Sequence, residues 1–222
     1  GNIRYLVKDF EGCPLKGPTS LAIYDERLEL YFCDGGYFES TSLSRPTGSV
    51  YRISLQKGMP RNADPLIKDC LAYPADIIID QANGFGYIAE TFANRILRFF
   101  PHEEEDRTQV SVFYTFQGRV GPTALAIDDL GNIYVARYEY QSRSGDVNGI
   151  IDVITKDGAL IGELVVPKMP EITGMYIPIS EELKENRKDM YLYFTEKNYS
   201  GVKRIRIGVF VNEIDRMMDR LY

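Results

Sequence analysis

The chain repeats itself, and that repeat narrows the fold more than any single motif does. "GPTALAIDDLGNIYVA" (121–136) has an eroded copy, "GPTSLAIYDERLELYF", starting at Gly17. A third version is "YPADIIIDQANGFGYIAE" (73–90). A fourth is "ITGMYIPISEELKENRKDMYLYFTE" (172–196), with a charged insertion in its middle. Aligned on Pro18, Pro74, Pro122 and Ile172, the copies are spaced 56, 48 and 50 residues apart. A period near fifty residues marks a propeller or a solenoid.

The content of each unit decides between these two. A short apolar run ("LAIY", "IIID", "LAID", "MYIP") leads into a turn rich in Asp, Asn and Gly, such as "DDLGN" or "DQANGFG". An aromatic and β-branched strand follows: "LELYFCD", "YIAE", "NIYVAR", "YLYFTE". Third strands read "GSVYRISL", "NRILRFFP", "GIIDVITKDG" and "GVKRIRIG". Fourth strands read "PLIKDCL", "VSVFYTF" and "LIGELVV". Four short strands joined by hairpin turns make one propeller blade, and the 3.6-residue periodicity of a helical solenoid is missing. A single four-stranded sheet cannot cover its own faces, so blades stack and the unit recurs. The expected fold is therefore an all-β propeller of four-stranded antiparallel blades, four of them legible, over residues 1–211.

The last unit lacks a recognisable outer strand. "NIRYLVKDF" (2–10) is a spare strand that would complete it and clasp a ring; otherwise the arc stays open or a second chain closes it. Residues 212–222, "NEIDRMMDRLY", read as a short amphipathic helix, with Ile214, Met217, Met218 and Leu221 on one face. "SEELKENRKD" (180–189) reads as a second short helix capped by Ser180.

Bulk properties bound the function. The 222 residues carry a net charge of −6, which argues against nucleic acid or an anionic membrane as the main partner. No apolar run reaches the roughly 20 residues of a membrane span. Cys13, Cys33 and Cys70 are widely spaced and odd in number, fitting reduced thiols and a cytoplasmic setting better than a disulfide framework or a zinc site.

"GSVYRISL…DCLAYPADIIIDQANGFGYIAETFANRILRF" (48–99) resembles the strictosidine synthase-like and gluconolactonase/regucalcin group, and also NHL-repeat propellers. It does so through Tyr73-Pro74, Ala89-Glu90-Thr91, Arg95-Ile96 and Arg98-Phe99. "LYFCDGGYFESTSLSRPTGSVYRI" (30–53) is similar to another blade of that group. The resemblance implies a ring of six blades, four of which are legible here. It also implies a central metal, usually calcium, held by oxygen ligands at the starts of the inner strands. Where the family places its metal-binding asparagine, this chain has Ala75, and the corresponding positions are Thr19, Thr123 and Thr173. One register along lie Ser20, Asp76, Ala124 and Gly174. The expectation is no metal and no cofactor, with Thr19, Asp76, Thr123 and Thr173 as a candidate axial ligand-binding ring.

The single histidine, His102, lies in the acidic loop "PHEEEDR", which leaves no histidine pair for the lactone hydrolysis that the resemblance implies. The resemblance implies an acidic residue in a late blade for strictosidine synthase chemistry, and Glu196 is the one candidate. Asp34, Glu90 and Arg137 occupy the equivalent place in the other units, so that charge reads as a feature of the repeat. Two long loops carry aromatic and basic residues: Tyr37, Phe38 and Arg45 in the first, Tyr138, Tyr140 and Arg143 in the second. With Met217, Met218 and Leu221 they make a candidate surface for a protein partner or self-association. These features point first to a non-catalytic scaffold or ligand-binding propeller. The alternatives are a hydrolase or lyase acting on an ester, lactone or amine, and a small-molecule sensor.

Overall fold

A computed structural model describes residues 5–58, 62–100, 108–118, 121–138 and 148–208. The chain divides into two compact units between Pro122 and Thr123.

The first unit opens with a hairpin, β1 (Asp9–Phe10) paired with β2 (Cys13–Pro14). Glu11 and Gly12, both at positive φ, reverse the chain there, and Gly12 N donates to Asp9 Oδ1 at 3.0 Å. Leu6, Val7, Phe10 and Leu15 then pack on Phe32, Tyr51, Ile53 and Ala63. Over its described part, residues 5–10, this differs from the clasp strand expected over 2–10. The turn at Glu11-Gly12 sends the segment back onto the unit's own first blade, where its apolar side chains find cover.

Blade one is β3 (Pro18–Tyr24), β4 (Glu29–Asp34), β5 (Gly48–Ser54) and β6 (Asp64–Leu71), in that spatial order. Blade two is β7 (Pro74–Ile79), β8 (Gly86–Glu90), β9 (Arg95–Phe100) and β10 (Gln109–Thr115). All pairings within them are antiparallel. One face of blade one (Tyr31, Cys33, Val50) packs on one face of blade two (Ile77, Ile79, Ile88, Leu97, Phe99). Fully burying one such side chain stabilises by about 1.5–3 kcal/mol. Gly86 is required by this packing, because a Cβ there would stand 2.1 Å from the Phe99 ring.

Blade three is β11 (Pro122–Ile127), β12 (Ile133–Arg137), β13 (Gly149–Ile154) and β14 (Leu160–Val166). Among the described residues blade four has three strands, β15 (Ile172–Tyr176), β16 (Tyr191–Glu196) and β17 (Tyr199–Arg206). Ala124, Tyr134, Ile151 and Val153 of blade three pack on Ile172, Leu192 and Phe194 of blade four. The four antiparallel sheets are thus propeller blades, stacked face to face within each unit. The turn residues do what their composition predicts. Asp128 Oδ1 accepts from Leu130 N (3.0 Å) and Asn132 N (2.8 Å), and Asp80 Oδ1 accepts from Ala82 N at 2.9 Å. The charged insertion of the fourth repeat forms the helix α1 (Glu181–Glu185), with Ser180 accepting from Leu183 N at its start. The expected helix at 212–222 lies outside the described residues. No helix among the described residues is long and apolar enough to cross a membrane.

Candidate functional site

Within each unit, a threonine of the first inner strand ties its blade to the second. Thr19 Oγ1 donates to Pro74 O at 2.8 Å, and Thr123 Oγ1 donates to Ile172 O at 2.9 Å. Both acceptors are the aligned first residues of the following blade. Blade two has Ala75 at the threonine position. Thr91, one residue past the end of β8, donates from Oγ1 to the carbonyl oxygen of Pro122, the last residue of the first unit, at 2.7 Å. Thr173 shares a hydrogen bond with Thr195 at 3.0 Å. The hydroxyl protons of Thr19 and Thr123 are therefore committed to backbone carbonyls.

Thr19 and Asp76 lie in the first unit, Thr123 and Thr173 in the second. In the first unit, Asp76 Oδ1 accepts from the Ser20 hydroxyl and from Ile77 N (2.9 Å). Ser20 and Asp76 are both half-buried. Cys33 is fully buried nearby, and desolvation, with Asp76 and Asp34 adding to it, pushes its thiol well above the usual range. That keeps it protonated and unreactive. Ser20 joins Asp76 as a candidate, although in its own repeat it is only a small neutral side chain.

The charged residues ending each second strand are held within their own blades. Asp34 accepts from Lys16 N (2.9 Å) and Gly17 N (2.5 Å). Glu90 accepts from Ala72 N (2.7 Å) and pairs with Arg95 at 2.6 Å. Glu196 accepts from Glu171 N (3.2 Å) and Asn198 N (2.7 Å). All three are buried and take up the backbone N–H groups of the segment entering their own first strand. Arg137 differs: its Nε lies 2.7 Å from Asp152 Oδ2 as an ion pair, without hydrogen-bond alignment.

The calcium that the family resemblance implies does not fit the described residues. No group of three or more His, Cys, Asp or Glu side chains among them could hold a metal. Asp76 stands beside Ala75, with its Oδ1 already taking two donors.

The first long loop places Tyr37 and Phe38 at the surface, each 61 % exposed, and Arg45 is exposed too. Phe38 meets Tyr73 edge-on at 5.0 Å, and Tyr73 stacks on Phe92 at 5.4 Å. Tyr138 OH donates to Glu171 at 3.1 Å. His102, Tyr140, Arg143, Met217, Met218 and Leu221 lie outside the described residues.

A family model described as the SMP-30/Gluconolactonase/LRE-like region matches residues 23–184. The chain belongs to this family. A lactonase, drp35 of Staphylococcus haemolyticus, is 27 % identical over 154 residues, which are 67 % of this chain and 42 % of the relative. The chain thus spans about two fifths of that relative's length. A gluconolactonase of Xanthomonas campestris superposes with a TM-score of 0.59 at 17 % identity, over 86 % of this chain and 57 % of that one. A chain of a nidogen–laminin complex superposes with a TM-score of 0.56 at 15 % identity, over 90 % and 80 %. At such identities these two likenesses show the fold alone. The family match selects the gluconolactonase group among the resemblances read from the sequence, and NHL-repeat membership gains no support. It also overturns the expectation of a non-catalytic scaffold. That expectation leaned on Ala75 and the single histidine, which argue against one metal-and-histidine chemistry and not against an enzyme lineage.

Proposed function

We propose that this chain serves the hydrolysis of a lactone. The observation that carries the reading is the family match across residues 23–184, joined by a lactonase as a sequence relative. Hydrolysis adds water to the acyl carbon, breaks the ring C–O bond, and leaves a hydroxy acid that releases one proton at neutral pH. The chain needs a group to take the proton from water, and in the Thr19–Ser20–Asp76 cluster that group is Asp76. The Ser20 hydroxyl and Ile77 N orient its carboxylate. Thr19, tied to Pro74 O, fixes the spacing of the two inner strands that carry the cluster.

The test is acid release from five- and six-membered lactones, followed with a pH indicator on the purified chain. Ring opening that falls about 100-fold or more in Asp76→Asn, at unchanged melting temperature, is the expected result. Absence of ring opening across the panel, or full activity in Asp76→Asn, overturns the assignment.

A further inference from the structure

Blades one and two share a register, so equivalent residues can be compared directly. Tyr31 stands opposite Arg52 in blade one, and Tyr87 stands opposite Arg98 in blade two. Two residues before each tyrosine lie Glu29 and Phe85. Opposite each arginine, on the outermost strand, lie Asp64 and Ser111.

In blade one the arginine is flanked by carboxylates: Arg52 lies 3.6 Å from Glu29 and 3.7 Å from Asp64. In blade two both carboxylates are replaced while the guanidinium is kept. Arg98 lies over the Phe85 ring at 5.0 Å and the Phe113 ring at 5.5 Å. Among the described residues its guanidinium meets no carboxylate and no hydrogen-bond acceptor. It lines a cavity of about 380 Å³ with Phe85, Phe100, Gln109, Val110 and Ser111. A guanidinium packed on aromatic rings keeps N–H donors that match a planar oxyanion. The Ser111 hydroxyl and Gln109 amide add donors beside it, and Phe85, Phe100 and Val110 add apolar wall.

We propose that this cleft on the outer strands of blade two binds a small monocarboxylate. Its carboxylate takes the place that Glu29 and Asp64 fill in blade one, and its apolar body lies against Phe85, Phe100 and Val110. The proposal does not rest on the lactone reading, because none of these residues belongs to the Thr19–Ser20–Asp76 cluster.

The test is a nuclear magnetic resonance titration of the whole chain with benzoate, benzyl alcohol and inorganic phosphate in parallel. Saturable shifts from benzoate at Arg98, Gln109, Val110 and Ser111 are expected, with benzyl alcohol at least tenfold weaker. Arg98→Gln should weaken benzoate at least tenfold. Ser111→Asp keeps the arginine and restores the blade-one partner. It should abolish benzoate binding while holding or raising the melting temperature, so a loss of binding cannot be put down to misfolding. Four results would each overturn the proposal: no saturable shift at these residues, equal binding of benzyl alcohol, saturation by phosphate in place of benzoate, or benzoate binding that survives Arg98→Gln or Ser111→Asp.

Discussion

Blade two ends its second strand with Glu90, and blade three ends the same strand with Arg137. Glu90 reaches back along the chain to Ala72 N and sideways to Arg95. Arg137 reaches the next strands of its own sheet, to Asp152 on β13 at 2.7 Å and Glu163 on β14 at 3.4 Å. The carboxylate closes the entry into its blade, as Asp34 and Glu196 do in theirs. The arginine staples strands that are already paired. A charged residue at this place in the repeat is thus a structural fixture in every blade, but its sign decides which part of the blade it holds. Function is better sought where two blades keep one residue and change its neighbours, as at Arg52 and Arg98.

Substitutions can break this comparison. Arg137→Met should cost the most, about 3–5 kcal/mol of unfolding free energy. It withdraws the guanidinium from Asp152, whose side chain is 5 % exposed. Denaturant unfolding is the measurement, and a loss under about 1 kcal/mol would show that other contacts of Asp152 suffice. Glu90→Ala should cost about 2–3 kcal/mol, because the Ala72 N–H loses its acceptor, while the half-exposed Arg95 turns to water. Glu90→Gln keeps an acceptor and should recover part of that loss.

Asp128 sharpens the comparison of the turns. Burial raises its carboxyl to about 6, against the hydrogen bonds from Asn132 and Leu130 that favour the ionised form. A folded-state value above the unfolded one means that stability is full below about pH 4 and lost as pH rises through about 6. The loss is about 2–3 kcal/mol. Melting temperature measured from pH 4 to 7 should show this decline, and Asp128→Asn should flatten it. Thr19→Val should have the smallest effect, about 1 kcal/mol, since one hydroxyl bond to Pro74 O is lost and little volume changes.

Much of the blade architecture was readable because it is local. The apolar run, the Asp-rich turn and the aromatic strand of each repeat fall within some twenty residues, and β11 with β12 folds as "GPTALAIDDLGNIYVA" suggests. Among the described residues the last blade has three strands, as its repeat suggests. Cross-blade chemistry was not. Thr19 reaches Pro74 O across 55 residues, a nearness that no local pattern carries. Ser20 and Asp76 meet across 56 residues, so their bond was invisible while each was read in its own repeat. The described part of the N-terminal segment departs from a clasp strand because the turn at Glu11-Gly12 folds it onto Phe32 and Tyr51.

The threonine ties bear on how the chain folds in time. Each blade's ladder joins neighbouring strands and can zip by successive hairpins, which are events of microseconds. The hydroxyl bonds Thr19–Pro74 and Thr123–Ile172 instead close separations of 55 and 49 residues. They can form only once two finished sheets have docked, after the loop-closure entropy has been overcome. Such late bonds act on the lifetime of the folded state more than on the speed of reaching it. Removing one should hasten unfolding and leave the refolding rate nearly untouched, so the hydroxyls at the inner strands serve as latches set after assembly.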